Sequence, residues 1–278
     1  VGLGLLVSGC GDDERQVIIK LNQLFAYSSP NTGAPDLLRV FGINRESGAV
    51  GPERQQIAGN FLTLEVHPSL ARLYALTTTP EIVCFDMDAT TGNLTQISSV
   101  ATSNPGTFQQ LLAHPSGLAL YHPNGGNINQ FAVDGSANQL TPLAPASVAA
   151  GGVNLVGGAA DPTGRFVYFA DFDADSVLGF SVGGNGALTP LGTVADGLDD
   201  PISLGIDPSG QFLFSLSDGN DQLNSFRIAA DGTLAPLNSI GLGNAGNFHP
   251  HLEVAGDLVF VGDDSAATTK DFRFDSNG

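Results

Sequence analysis

Pro201-Ile202-Ser203-Leu204-Gly205-Ile206-Asp207-Pro208-Ser209-Gly210-Gln211-Phe212-Leu213-Phe214-Ser215-Leu216 is the stretch on which the fold turns. It reads as a short strand, a tight turn and a second strand. Asp207 bonds the backbone two residues on, Pro208 presets φ, and Gly210 accepts a positive φ. Downstream, Asp218-Gly219-Asn220-Asp221 turns the chain again, and Leu223-Asn224-Ser225-Phe226-Arg227-Ile228 alternates as a third strand. Ala230-Asp231-Gly232 carries the Asp-Gly hairpin signal. Leu234 to Ile240 follows as an outer strand, with Pro236 suited to a sheet edge. Four antiparallel strands in about 43 residues make one blade-like unit.

The unit recurs. The first turn returns as His67-Pro68-Ser69, His114-Pro115-Ser116-Gly117 and Asp161-Pro162-Thr163-Gly164, at steps of 47, 47 and 46 residues up to Asp207. A Phe-x-aliphatic step marks the third strand six times, at Phe41, Phe85, Phe131, Phe180, Phe226 and Phe272. A second mark opens the outer strand at Val50-Gly51-Pro52, Leu94-Thr95-Gln96, Leu140-Thr141-Pro142, Leu188-Thr189-Pro190 and Leu234-Ala235-Pro236. A fixed period of about 40–50 residues, rich in strand and turn signals, is how a β-propeller is written. Helical periodicity is absent. The expected fold is all-β: a β-propeller of four-stranded antiparallel blades, five complete and a sixth partial. The blades are placed at about 16–60, 61–107, 108–151, 152–200, 201–248 and 249–278. The outer strands, rich in Ser, Thr and Pro, suggest a packed middle and a wet rim.

The composition narrows the partners. The chain has 278 residues, 28 acidic and 10 basic, for a formal net charge of −18. Such a surface repels phosphate backbones and anionic headgroups, so nucleic acid is excluded as an expected partner. The simplest account of the acidity is solubility. The eight Arg are scattered and mark no inner strand, which argues against a phosphorylated substrate.

Val1 to Val7 is apolar and small, and Val7-Ser8-Gly9-Cys10 follows. This resembles the bacterial lipobox, whose Cys is lipidated and becomes the mature first residue. The alternative is a hydrophobic start that happens to end in Cys. On the first reading, residues 1–9 are a signal-peptide remnant, Cys10 is the lipidation site and 10–15 form an acidic tether. The expected location is the cell envelope of a bacterium, facing the periplasm or the exterior, held to the membrane through the lipid alone. The remaining Cys84 sits in the apolar run Ile82-Val83-Cys84-Phe85 and reads as a small core residue, so no disulfide framework is available. Asp275-Ser276-Asn277-Gly278 reads as a hairpin turn just before an outer strand. Together with the missing n-region, it suggests a sequence cut short at both ends.

The phrase Asp161-Pro162-Thr163-Gly164-Arg165-Phe166-Val167-Tyr168, followed by Asp175-Ser176-Val177 and Gly186-Ala187-Leu188-Thr189-Pro190, resembles the lactonase-type seven-bladed β-propellers. That family includes bacterial 6-phosphogluconolactonases and is related to fungal carboxymuconate cyclases. The resemblance runs from about residue 16 onward and implies seven blades in a full protein. Its motifs are turns and strands, which surface-layer repeat propellers share. The family's Pro-His step at an inner strand is matched by Phe248-His249-Pro250-His251-Leu252-Glu253-Val254, while other inner strands, such as Thr107–Leu111, carry no His.

His249, His251 and Glu253 are spaced by two and would share one face of a strand. A His beside a carboxylate can act as general base, and a lactone opens once water is deprotonated and the carbonyl oxyanion stabilised. The expected roles are His251 as base, His249 binding or orienting the substrate, and Glu253 as the carboxylate partner. As metal ligands on one strand the three would converge poorly, so no metal and no cofactor is expected. Glu65 is read in the same register as Glu253. His67 and His114 are read as turn residues, and so is His122 beside Pro123-Asn124-Gly125-Gly126. Asp171, Asp173 and Asp175 have a calcium-loop spacing but lack the Gly and distal Glu of an EF-hand, and are read as a turn. Two functions stand open. One is an exported, monomeric carboxylic-ester hydrolase of lactonase type, acting on a lactone or similar small cyclic ester. The other is a non-catalytic surface propeller that binds a protein or glycan.

Overall fold

The structure is a computed structural model that describes residues 17–20, 23–28, 37–44, 47, 49–103, 110–135, 139–243, 252–263, 268–275 and 278. Cys10 and the segment before it lie outside the described residues. The strands form six antiparallel sheets, each built from consecutive strands. The first contains β1 (Val17–Lys20), β2 (Gln23–Ser28), β3 (Leu37–Ile43) and β4 (Val50–Ala58). The second contains β5 (Phe61–Val66), β6 (Arg72–Thr77), β7 (Glu81–Met87) and β8 (Leu94–Ala101). The third contains β9 (Leu112–Ala113), β10 (Ala119–Asn124), β11 (Asn127–Asp134) and β12 (Gln139–Ala149). The fourth contains β13 (Leu155–Ala160), β14 (Phe166–Asp171), β15 (Ser176–Val182) and β16 (Leu188–Ala195). The fifth contains β17 (Pro201–Ile206), β18 (Phe212–Ser217), β19 (Gln222–Ile228) and β20 (Leu234–Gly241). The sixth has three described strands, β21 (Leu252–Ala255), β22 (Leu258–Asp263) and β23 (Thr268–Arg273). Among the described residues five four-stranded blades and a sixth of three strands are present, as the repeat predicts, and the fold is an all-β propeller.

Two compact units divide the chain. One comprises Val1–Pro105 and the hairpin tip Val133–Thr141, the other Gly106–Ala132 and Pro142–Gly278. Within each unit the cores lie between successive sheets. In the first, Leu38 and Val40 of β3 pack on Phe61, Leu64, Leu73 and Phe85 of the second sheet. In the second, Tyr121 and Ile128 pack on Val167, Phe169 and Phe180, and the pattern repeats from the fourth sheet to the fifth and the fifth to the sixth. The second strands β6, β14 and β18 are buried at every position, so both of their faces are covered. Of the outer strands, β20 is almost wholly exposed and β8 and β16 are exposed at half of their positions, which gives the wet rim.

The recurring Phe mark has a structural cause. At Phe41, Phe85, Phe180 and Phe226 the pairing to the outer strand slips by one residue, a β-bulge. The slip leaves Leu191 and Leu237 unpaired on β16 and β20, each directly after its proline. Leu191 then lies over Gly232 in the hairpin turn of the next sheet, and Leu237 over Gly278. A Cβ on Gly232 would stand 2.8 Å from Leu191 Cδ1 and 2.7 Å from the Phe166 ring, and its φ is +87°. Only glycine fits there.

A second lock repeats beside it. Tyr74, Tyr121 and Tyr168 occupy one position in β6, β10 and β14, at a constant step of 47 residues. Tyr121 Oη donates to the Gly186 carbonyl at 2.8 Å, and Tyr168 Oη donates to the Gly232 carbonyl at 3.0 Å. The phenols of Tyr121 and Tyr168 thus pin the outer hairpin turn of the following sheet. The position is Phe214 in the fifth sheet, which has no hydroxyl to offer.

Tyr168→Phe should lower the unfolding free energy by about 1–2 kcal/mol, because a buried carbonyl loses its donor. Gly232→Ala should lower it further, by about 2–3 kcal/mol, through the clash and the left-handed backbone. Urea unfolding of both variants against the parent checks the order and the size.

Candidate functional site

Inner strand β21 carries the one described member of the predicted trio. His249 and His251 lie outside the described residues. Leu252 and Val254 point toward the fifth sheet: a Cβ on Gly205 of β17 would stand 2.3 Å from Leu252 Cδ2 and 2.7 Å from Val254 Cγ2. The backbone N–H of Leu252 donates to Ser203 Oγ at 3.3 Å. Side chains alternate along a strand, so Glu253 projects from the opposite face. It is half-buried, and burial pushes its carboxyl up to about 7. At neutral pH this group exchanges its proton readily, as an acid–base residue must. Glu253 stands opposite Phe260 in β22, and Glu65 opposite Tyr74 in β6, so the two acids do share one register.

A second acidic locus forms where the fourth and fifth sheets meet at one end. Asp171 closes β14, fully buried, and its carboxylate accepts the N–H groups of Val153 at 2.9 Å and Asn154 at 2.8 Å. It is a structural anchor rather than part of an acidic turn. A short 3-10 turn, Phe172–Ala174, follows and is capped by Asp175 at φ 51°. Asp175 Oδ1 accepts the N–H of Asp200 at 3.0 Å, and Asp200 is itself left-handed at φ 49°. The Asp199 and Asp200 carbonyls accept the N–H groups of Gly219 and Asp218. Side-chain oxygens of Asp175, Asp199 and Asp200 lie within 4.8 Å of one another. Three carboxylates at that spacing offer hard oxygen ligands of the kind a divalent cation takes. Partial burial raises the Asp200 carboxyl, and the charges of Asp175, Asp199, Asp218 and Asp173 raise it further. Asp199 and Asp200 lie 24 and 25 residues beyond Asp175, and nothing in that spacing brings the three together. The available signal was topological: the β14–β15 turn and the β16–β17 connection lie at the same end of their sheets.

The other histidines are placed plainly. His67 and His114 are buried turn residues, as their slot predicts. His122 is not a turn residue: the strand continues through Pro123 to Asn124, and His122 sits fully buried in β10 opposite Asn129. Burial drives its pKa down to about 4. Cys84 is buried in β7, and burial pushes its thiol up, as suits a core residue.

Residues 70–194 match the family model described as lactonase, 7-bladed β-propeller. The match spans less than half of the chain and, with the sheet architecture, likens it to the lactonase-type β-propellers. The periplasmic gluconolactonase of Pseudomonas aeruginosa superposes with a TM-score of 0.76 at 17% identity, over 98% of this chain and 92% of that one. A protein of Bacteroides fragilis described as a 6-phosphogluconolactonase candidate gives 0.76 at 14%, over 97% and 90%. Its counterpart from Bacteroides uniformis gives 0.69 at 19%, over 84% and 72%. At these identities the likeness is one of fold. No curated protein sequence matches the chain significantly.

Two pH effects of opposite sign are expected. His122 is depressed in the folded state, so its contribution to stability is lost as pH falls from the ordinary imidazole value near 6.5 toward 4. The loss should reach about 3 kcal/mol near pH 4, and His122→Phe should abolish it. Asp200 is raised, so stability is greatest while it is protonated and falls as pH rises through its folded pKa. Asp200→Asn should therefore raise Tm at pH 7, with a gain that shrinks in high salt. Thermal melts across pH and ionic strength read both.

Proposed function

We propose that this chain is an exported lactonase-type hydrolase that opens an uncharged lactone or similar small cyclic ester. The observation that carries the reading is Glu253, an inner-strand carboxyl held near pH 7 by burial and placed two residues after a histidine. The family match over residues 70–194 and the fold shared with a gluconolactonase support the substrate class. In this reading His251 takes a proton from water, and the resulting hydroxide adds to the lactone carbonyl carbon. The tetrahedral oxyanion collapses, the ring C–O bond breaks, and the ring oxygen leaves with a proton as a hydroxyl. The product is a hydroxy acid. His249 orients the lactone, and Glu253 is the carboxylate partner of His251. The net charge of −18 favours an uncharged substrate over a phosphorylated one.

Hydrolysis of a lactone panel, sugar lactones with and without phosphate, tests the proposal. His251→Ala should lower kcat/KM about 10²–10⁴-fold, the span of general acid–base catalysis. Glu253→Gln should lower it less and remove a pH-dependence near 7. Turnover that survives His251→Ala would move the chemistry elsewhere. Turnover of none of the lactones would leave the second reading, a surface propeller that binds a protein or glycan. That reading is favoured by Leu191, Leu237 and Ile240, each about 40% exposed on the outer strands.

Export and anchoring form part of the same proposal. Cys10 carries the lipid and holds the protein at the cell envelope as a monomer. Membrane fractionation should place the parent with the membranes and Cys10→Ser in the soluble fraction, because one lost anchor removes the acyl chains.

A further inference from the structure

The turn between first and second strands uses one position with two chemistries. It is Asp161 and Asp207 in the fourth and fifth sheets, and His67 and His114 in the second and third. All four side chains are buried. Each accepts a hydrogen bond from the backbone N–H two residues on. Thr163 donates to Asp161 Oδ1 at 3.0 Å and Ser209 to Asp207 Oδ2 at 2.9 Å. Ser69 donates to His67 Nδ1 at 3.1 Å and Ser116 to His114 Nδ1 at 3.2 Å. His67 Nδ1 also accepts the Leu70 N–H at 2.8 Å, as Asp207 Oδ1 accepts those of Gln211 and Phe212. The turn therefore requires an acceptor at this position, whichever residue supplies it.

The two residue types fail at different acidities. An imidazole accepts at Nδ1 only while neutral, since imidazolium carries a proton on both nitrogens. A carboxylate keeps its acceptor oxygens into much stronger acid. In His114 the other nitrogen, Nε2, lies 2.9 Å from the Gly164 carbonyl. That contact puts the single proton of the neutral ring on Nε2 and the lone pair on Nδ1. We propose that His67 and His114 form an acid-release device: proton uptake at Nδ1 opens the turns 67–70 and 114–117, while the Asp-held turns 161–164 and 207–210 stay closed.

Among the described residues, these groups stand around each ring. The Tyr74 ring of β6 lies 6.3 Å from the His67 ring, and its phenol is pushed further up by burial, so it stays neutral. Arg72 opens the same strand, with its guanidinium held by the carbonyls of Asp134 and Gly135. Against His114 stands the 161–164 turn of the fourth sheet, where the Asp161 carboxylate accepts from Thr163 and Arg165. Ser116 Oγ lies 2.8 Å from His114 Nδ1. Buried His122 is a separate acid-sensitive group on β10, and the test distinguishes it.

Hydrogen exchange of the whole chain at about pH 7.5 and about pH 5, corrected for the intrinsic exchange rate, reads the turns directly. Peptides covering 69–72 and 116–119 should lose protection roughly tenfold at the lower pH, and those covering 163–166 and 209–212 should not. His67→Asp and His114→Asp should each restore protection in their own turn. Asp207→His should import the loss into 209–212, a gain that holds the idea to account even if a His→Asp variant folds poorly. Unchanged protection at 69–72 and 116–119 overturns the proposal. So does a loss shared equally with the Asp-held turns, or one confined to β10 and β11, which would mark His122 instead.

Discussion

The second, fourth and fifth sheets are covered on both faces, and that constraint governs the rest. β6, β14 and β18 are buried along their whole length, so neither face of their sheets can meet water. A lone four-stranded sheet of this kind has nowhere to put Tyr168, Phe169 and Phe180, each of which is fully buried. Burial of one such side chain stabilises by roughly 1.5–3 kcal/mol, and it is realised only when the next sheet stacks on it. Stacking is thus the source of stability and also the reason for the repeat: each unit supplies the cover for its predecessor.

Apolar stacking is not directional, and two small devices give it a register. The tyrosine hydroxyl reaches from the second strand of one sheet to a turn carbonyl of the next. The bulge beside the third-strand Phe pushes a leucine over the same turn. The close cover leaves no room for a Cβ at either turn, from Leu118 and Ala119 at Gly186 and from Phe166 and Leu191 at Gly232, and both glycines have positive φ. The bulge also explains the Leu-x-Pro mark. Proline needs no ladder partner at a sheet edge, and the residue after it is the one expelled.

Because the sheets are committed to packing, acid–base chemistry is left to strand ends and connections. The Asp175–Asp199–Asp200 group arises where three connections hydrogen-bond to one another, and two of its members tolerate left-handed backbone. Glu253, like Glu65 in the same register, is instead a carboxyl on an inner strand, and its neighbours on either side face the fifth sheet. Its raised pKa is the consequence of that position, since ionisation must be supported without full hydration.

The strands, turns and sheet order were legible in the sequence because they depend on local chemistry repeated at a constant step. Asp-Pro-Ser-Gly forms its turn wherever it stands, and the predicted strands of the fifth blade agree with β17 to β20 within one residue. Much of the candidate chemistry was not legible. His122 looks like a turn residue beside Pro123 and Gly125, yet the strand carries it into the core. Asp171 looks like its neighbours Asp173 and Asp175, yet it is spent on two backbone donors. Sequence by itself determined the repeat, the all-β class and the shared register of Glu65 and Glu253, since these follow from a local pattern repeated along the chain. Tertiary structure alone decided which acids meet, which phenol pins which turn and which carboxyl resists ionisation. Those outcomes depend on distances between segments far apart in the chain and on how much water each group keeps.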